Sequence, residues 1–191
     1  MDAVPAFVDH LLDQGSTPDD IPEISVADAT GWHGPLAEQL LELVEQGMPG
    51  APAGAFLAHG YAHLPLPARD GRGLYLRMAY GSAVTRWPNT PTSVVLTVHR
   101  SLYLEMHQRT EDLVSGRPQY ARHFGPGEFF AVHPGTACTL QSSAGGLQVL
   151  AVTEPEPVPS GVLSFAEHGA VTQRVHRTLR KICAARVGGV R

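Results

Sequence analysis

Lysine is nearly missing from this 191-residue chain: Lys181 stands alone beside thirteen arginines. That balance reads as codon bias towards GC-rich DNA, not as a device for gripping phosphate. Cysteine is scarce too. Cys138 and Cys183 make neither a disulfide framework nor a zinc-type C-x-x-C pair. Charged residues are 17%, against roughly 25% in an average domain, and the net charge is −4. No basic surplus exists to attract nucleic acid or an anionic membrane, so neither is expected as a partner. No apolar run approaches the roughly 20 residues that span a bilayer. Met1–Asp20 lacks the basic start and apolar core of a secretion signal, so a soluble, cytoplasmic protein is expected. Also missing are a Gly-rich phosphate loop, a Gly-x-Ser-x-Gly elbow, a His-Glu-x-x-His pair, a dinucleotide fingerprint and any internal repeat.

What remains is a chain with 43% hydrophobic residues, 20 glycines, 16 prolines and ten histidines. A folded chain of this length removes about 70% of its extended surface from water, enough for one domain without covalent staples. Its low charge agrees with a homodimer interface, and also with nothing more than a high Ala, Gly and Pro content.

Three zones divide the chain. Residues 1–54 read as a helical segment packing on the strand-rich zone of residues 55–153. Pro5–Gln14 gathers Phe7, Val8, Leu11 and Leu12. Pro35–Gln46 spaces Leu36, Leu40, Leu43 and Val44 as a core-facing stripe, with Pro35 in its first turn and Gly47 just past its end. Residues 55–153 hold eight short segments rich in Val, Leu, Tyr and Phe between turn residues: Ala55–Leu66, Leu74–Tyr80, Ser93–His99, Leu102–His107, Gln119–Phe124, Glu128–Val132, Cys138–Gln141 and Leu147–Thr153. That spacing, without intervening helices, predicts an antiparallel sandwich or barrel rather than a parallel α/β sheet. Residues 154–191 are a Pro-rich connection followed by a helix over Val171–Arg186, with Val171, Val175, Leu179 and Ile182 on one face. Its arginines either touch phosphate or an acidic partner or, as is expected, form a solvated face.

The most informative stretch is Pro126-Gly-Glu-Phe-Phe-Ala-Val-His-Pro-Gly-Thr-Ala-Cys138. A Gly–acid pair precedes a short strand, Pro-Gly turns the chain, and a strand resumes three residues after the glycine. It resembles the second motif of the cupins, small antiparallel jelly-roll barrels. Ser93–Met106, meeting near His99-Arg100, is similar to the hairpin that ends the first cupin motif, and Gly146–Val152 to the strand that closes the barrel. The resemblance covers about residues 73–153. It implies a mainly β, cupin-like barrel with N-terminal helices and a C-terminal helix. The departures are equally informative. Cys138 stands where the second motif carries its metal-binding histidine, and Thr85–Ser93 holds neither the histidines nor the glutamate of the first. The hairpin turn has His99, Arg100 or Ser101 in place of glycine. The family's usual metal site is therefore not expected here.

Other residues offer chemistry. Read as one strand, Ala58–His63 places His59, Tyr61 and His63 on one face, and Leu102–His107 groups Tyr103, Glu105 and His107 opposite Leu102, Leu104 and Met106. If both polar faces look inward, they form a catalytic cavity with acid–base groups, His99 or His133 at its rim. A divalent metal (iron, zinc, manganese or nickel) is then possible at His59, His63 and His107. If either faces water, it is the ordinary polar side of an antiparallel sheet. Arg77, interrupting an apolar strand, either enters a pocket to bind an anion or reaches out to solvent. Arg86 and Trp87 either close over a substrate at the barrel mouth or lie on the exterior. Cys138 is either a reactive thiolate or a buried hydrophobe.

The leading expectation is a cupin-like enzyme acting on a small, anionic metabolite by lyase, isomerase, cyclase or dehydratase chemistry. Its catalytic groups would be His59, Tyr61, His63, Tyr103, Glu105 and His107, and its substrate contacts Arg77, Arg86, Trp87 and Cys138. The alternatives are a non-catalytic binding or sensor protein, and a metal-dependent dioxygenase with non-standard ligands.

Overall fold

The computed structural model describes residues 27–28, 30–47, 54–66, 73–87, 93–132, 137–152 and 159–188. The helix expected over Pro5–Gln14 lies outside them. Two antiparallel sheets face each other without closing into one cylinder. The larger takes β1 (Ala27–Asp28), β2 (Phe56–Ala58), β3 (Tyr61–Pro65), β4 (Gly73–Ala79), β6 (Ser93–His99), β9 (Glu128–Val132), β11 (Leu147–Val152) and β12 (Gly161–Val162), in the order β1-β9-β6-β11-β4-β3-β2-β12. The smaller takes β5 (Ala83–Trp87), β7 (Leu102–His107), β8 (Tyr120–Phe124) and β10 (Ala137–Ser142), in the order β5-β10-β7-β8. This is the mainly β, antiparallel arrangement expected from the strand spacing.

The central strands of the larger sheet are buried on both faces, because they carry two apolar sets. Leu64, Leu76, Leu96, Val149 and Phe129 face a helical layer, while Tyr75, Val95, Leu150 and Phe130 face the smaller sheet. The lumen between the sheets is completed by Leu102, Leu104, Met106, Cys138 and Leu140.

Two helices cover the outer side: α1 (Thr30–Glu45) and α3 (Phe165–Gly188), with a single turn, α2 (Asp112–Ser115), beside the smaller sheet. Leu36, Leu40 and Val44 of α1, and Val171, Val175 and Leu179 of α3, recur every fourth residue and are buried together. The arginines of α3 point to water as expected, with Arg180 and Arg186 meeting Glu45 and Glu38 of α1. Helix α3 starts six residues earlier than its apolar stripe suggests, because Ser164 caps it. The Ser164 hydroxyl accepts from the Glu167 N–H at 3.3 Å, and the Glu167 carboxylate accepts from the Ser164 N–H at 2.9 Å. Helix α1 likewise begins at Thr30, taking Pro35 inside it rather than at its first turn.

One further expectation is corrected, and four elements were not expected. Ala55–Leu66 is two strands, turned at His59-Gly60, where both residues have positive φ (52° and 81°). The backbone reverses there, so His59 is not on a strand face with Tyr61 and His63. Residues 83–87, outside the eight expected segments, form β5, paired with β10. The short β1, β12 and α2 had no periodicity long enough to announce them.

Candidate functional site

A row of polar side chains crosses the lumen face of the larger sheet. His63 of β3 sits opposite Arg77 of β4, Arg77 opposite Gln148 of β11, and Gln148 opposite Thr97 of β6. All four are at most 2% exposed. They point inward because each lies two residues from a lumen-facing Tyr61, Tyr75, Leu150 or Val95, while their chain neighbours take the helical side. The Arg77 Nε–H donates to Gln148 Oε1 at 3.2 Å, and Gln148 Nε2–H donates to Ser142 Oγ at 3.0 Å on the facing sheet. The guanidinium lies 4.4 Å above the Tyr61 ring, a cation–π contact inside a low-dielectric space. His63 stacks on Phe56 with ring centroids 4.7 Å apart and planes within 4°.

Burial dominates the electrostatics. It lowers the pKa of Arg77, and it brings His63 down to about 3, with the Arg77 charge adding to the effect. The same desolvation pushes the Cys138 thiol up to about 12, Arg77 pulling the other way. Cys138 is therefore a protonated thiol packed in the apolar lumen, and the thiolate reading does not describe it. Three hydroxyls in the lumen, Tyr61 Oη, Thr97 Oγ1 and Thr85 Oγ1, are buried without a hydrogen-bond partner among the described residues.

The second expected group lies elsewhere. Leu102, Leu104 and Met106 fill the lumen, so alternation turns Tyr103, Glu105 and His107 to the other face of the smaller sheet. There Glu105 Oε2 is 3.9 Å from His107 Nε2, and the Tyr103 ring lies 4.6 Å from that of His123. The structure thus brings Tyr61, His63, Arg77 and Cys138 into the lumen, and Tyr103, Glu105 and His107 do not join them. The shared cavity expected of the six is not formed. Arg86 alternates with the lumen-facing Thr85 and is exposed, and the Trp87 backbone pairs with Cys138. His59 is exposed in its turn, its pKa lowered by partial burial and by Arg77. His99 ends β6, and His133 lies outside the described residues.

These positions do not suit a divalent metal. His63 is inside the lumen, His107 is beyond the smaller sheet, and His59 is in a surface turn; among the described residues no group of three or more His, Cys, Asp or Glu is placed to hold one. Sequence reasoning missed Gln148, Thr97, Ser142 and Thr85. Gln148 carries the signal that singled out Arg77, one polar residue in an otherwise apolar strand, whereas the other three share their strands with further polar residues.

No protein-family model matches the chain, and no curated protein matches it in sequence. Among solved structures it resembles an RmlC-like cupin from Shewanella frigidimarina at 12% identity, covering 52% of this chain and 81% of that one with a TM-score of 0.41. It also resembles the cupin domain of an XRE-family transcriptional regulator from Enterobacter cloacae at 13% identity, covering 51% of this chain and 99% of that one, TM-score 0.37. A third is Streptomyces albus HEPD with substrate 2-hydroxyethylphosphonate and Fe(II) bound, at 14% identity, covering 58% of this chain and 24% of that one, TM-score 0.40. The likeness concerns the architecture and extends to no activity.

Proposed function

We propose that this protein binds a small anionic molecule between its two sheets and does no chemistry on it. The observation that carries the reading is Arg77: a guanidinium 1% exposed, set in a row of polar groups across four strands of an apolar lumen. A planar fork of this kind suits a carboxylate or phosphate. The Tyr61 and Thr97 hydroxyls would gain in the bound ligand the partners they lack.

Catalysis is disfavoured by the same row. A general acid or base works best with a pKa near the working pH. His63 is held at about 3 and Cys138 at about 12, and no Asp or Glu is among the buried described residues.

Calorimetric melting with acetate, succinate, citrate and inorganic phosphate as probes tests this. At least one should raise Tm saturably, since a ligand at 100 times its Kd adds about 2.7 kcal/mol. Arg77→Met should remove that rise, Tyr61→Phe should weaken it with the fold intact, and His107→Ala should leave it unchanged. If no probe moves Tm, or the rise survives Arg77→Met, the reading fails.

A further inference from the structure

Met78 follows Arg77 on β4 and faces the other way, into the helical layer. Beside it, between the end of β4 and the first half of α3, is a pocket of about 190 Å³ lined by Met78, Ala79, Tyr80, Ala170, Val171 and Arg174. We infer that this pocket is a second binding site, separate from the lumen, for an aromatic or branched short-chain monocarboxylate.

Met78, Ala79 and Val171 are buried and give an apolar floor, while Tyr80 and Arg174 are exposed at its rim. On α3, residues 170, 171 and 174 fall on one side of the helix, so the helix contributes a wall and one cation. The backbone is already engaged: the Ala79 N–H donates to the Gly146 carbonyl at 2.9 Å and the Tyr80 N–H to the Gly60 carbonyl at 3.1 Å. Polar recognition therefore falls to the Arg174 guanidinium and the Tyr80 hydroxyl. Arg174 makes no hydrogen bond or ion pair with any described residue. Its charge reaches the Tyr80 phenol, where it opposes the effects of burial and Glu167. Glu167 is the one acid acting there, and its carboxylate is tied to Ser164 by the cap of α3.

The volume limits the guest. At about 190 Å³ it suits one six-membered ring or a branched chain of similar size, with the carboxylate outside at Arg174. The apolar floor supplies affinity and the single cation orientation, the usual division in small-molecule sites.

The test is titration of the full chain with benzoate, followed by NMR of the methionine methyls, with Met78→Leu assigning the reporter. The Met78 methyl should shift saturably. Arg174→Gln should weaken binding roughly tenfold, as should replacing benzoate by benzyl alcohol, since one charge-assisted contact is lost. Ala170→Phe should fill the pocket and abolish the shift, while Arg77→Met should leave it intact. The inference is overturned if the shift is absent or unsaturable, if Arg174→Gln binds equally well, or if Arg77→Met removes the shift while Ala170→Phe retains it. That last pattern would place the guest in the lumen.

Discussion

His63 lies flat on Phe56 in the lumen, and the folded protein keeps it neutral far into the acid range. Above pH 6.5 the ring is neutral in both the folded and the unfolded chain, and it adds nothing to the pH dependence of stability. Below that, the unfolded chain takes up a proton that the folded one refuses. Stability therefore falls as pH drops from 6.5 towards 3, by up to about 1.4 kcal/mol per pH unit. His63→Phe keeps the stacked ring and removes the titration. Relative to wild type it should gain about 2 kcal/mol at pH 5 over its value at pH 7.5, as measured by urea unfolding at both pH values. An equal difference at both would show that His63 protonates freely in the fold. The two thiols offer a second check. Cys183 is half-buried and Cys138 fully so, so a thiol reagent at pH 8 should label Cys183 in the native protein and reach Cys138 only on unfolding. Labelling of native Cys138 at a comparable rate would contradict its buried, protonated state.

At the scale of elements, the connection from β6 to β7 carries the chain from one sheet to the other. Arg100 occupies its corner with φ 63°, the left-handed region that costs a side-chain-bearing residue about 1–2 kcal/mol. The sequence marked this turn as one where glycine was expected and not found, and the backbone has kept the conformation glycine would take. The Arg100 guanidinium donates to the Ala144 carbonyl, an exposed contact that offsets part of that cost. Arg100→Gly should stabilise the protein by about 0.5–1 kcal/mol, seen as a higher urea midpoint with an unchanged slope. Ser164→Ala should act in the other direction, losing about 1 kcal/mol with the N-cap of α3.

The elements also show what could be read in advance. Seven of the eight expected strand segments match single strands, because short apolar runs between turn residues are local signals. The eighth was split by the His59-Gly60 reversal, which depends on a left-handed histidine that composition does not announce. The site was legible only in part. Arg77 stood out as a lone charge in an apolar strand. Which face of Leu102–His107 turned inward was settled by packing against a partner sheet, and that packing is not written in the strand itself. The row joining residues 63, 77, 148 and 97 comes from four separate stretches, and only pairing register unites them.

In the whole molecule, one sheet serves two cores. The helical layer packs on one side of it and the lumen on the other, so neither core can be lost alone. Heat should therefore unfold the chain in a single step, with calorimetric and circular-dichroism transitions coinciding and an enthalpy near 60 °C of about 130 kcal/mol. Leu179→Ala on α3 and Leu104→Ala in the lumen should each cost about 2–5 kcal/mol and lower the same transition. Two separated transitions would show that the helices and the sandwich melt independently.

The doubly covered sheet also decides how freely the chain can drift in sequence. Every position of β11 is buried, whereas along β8 half-covered and open positions alternate. A saturation library should find tolerance that oscillates every second residue in the smaller sheet. Along residues 147–152 it should stay uniformly low, as along β4, which is equally buried at every position.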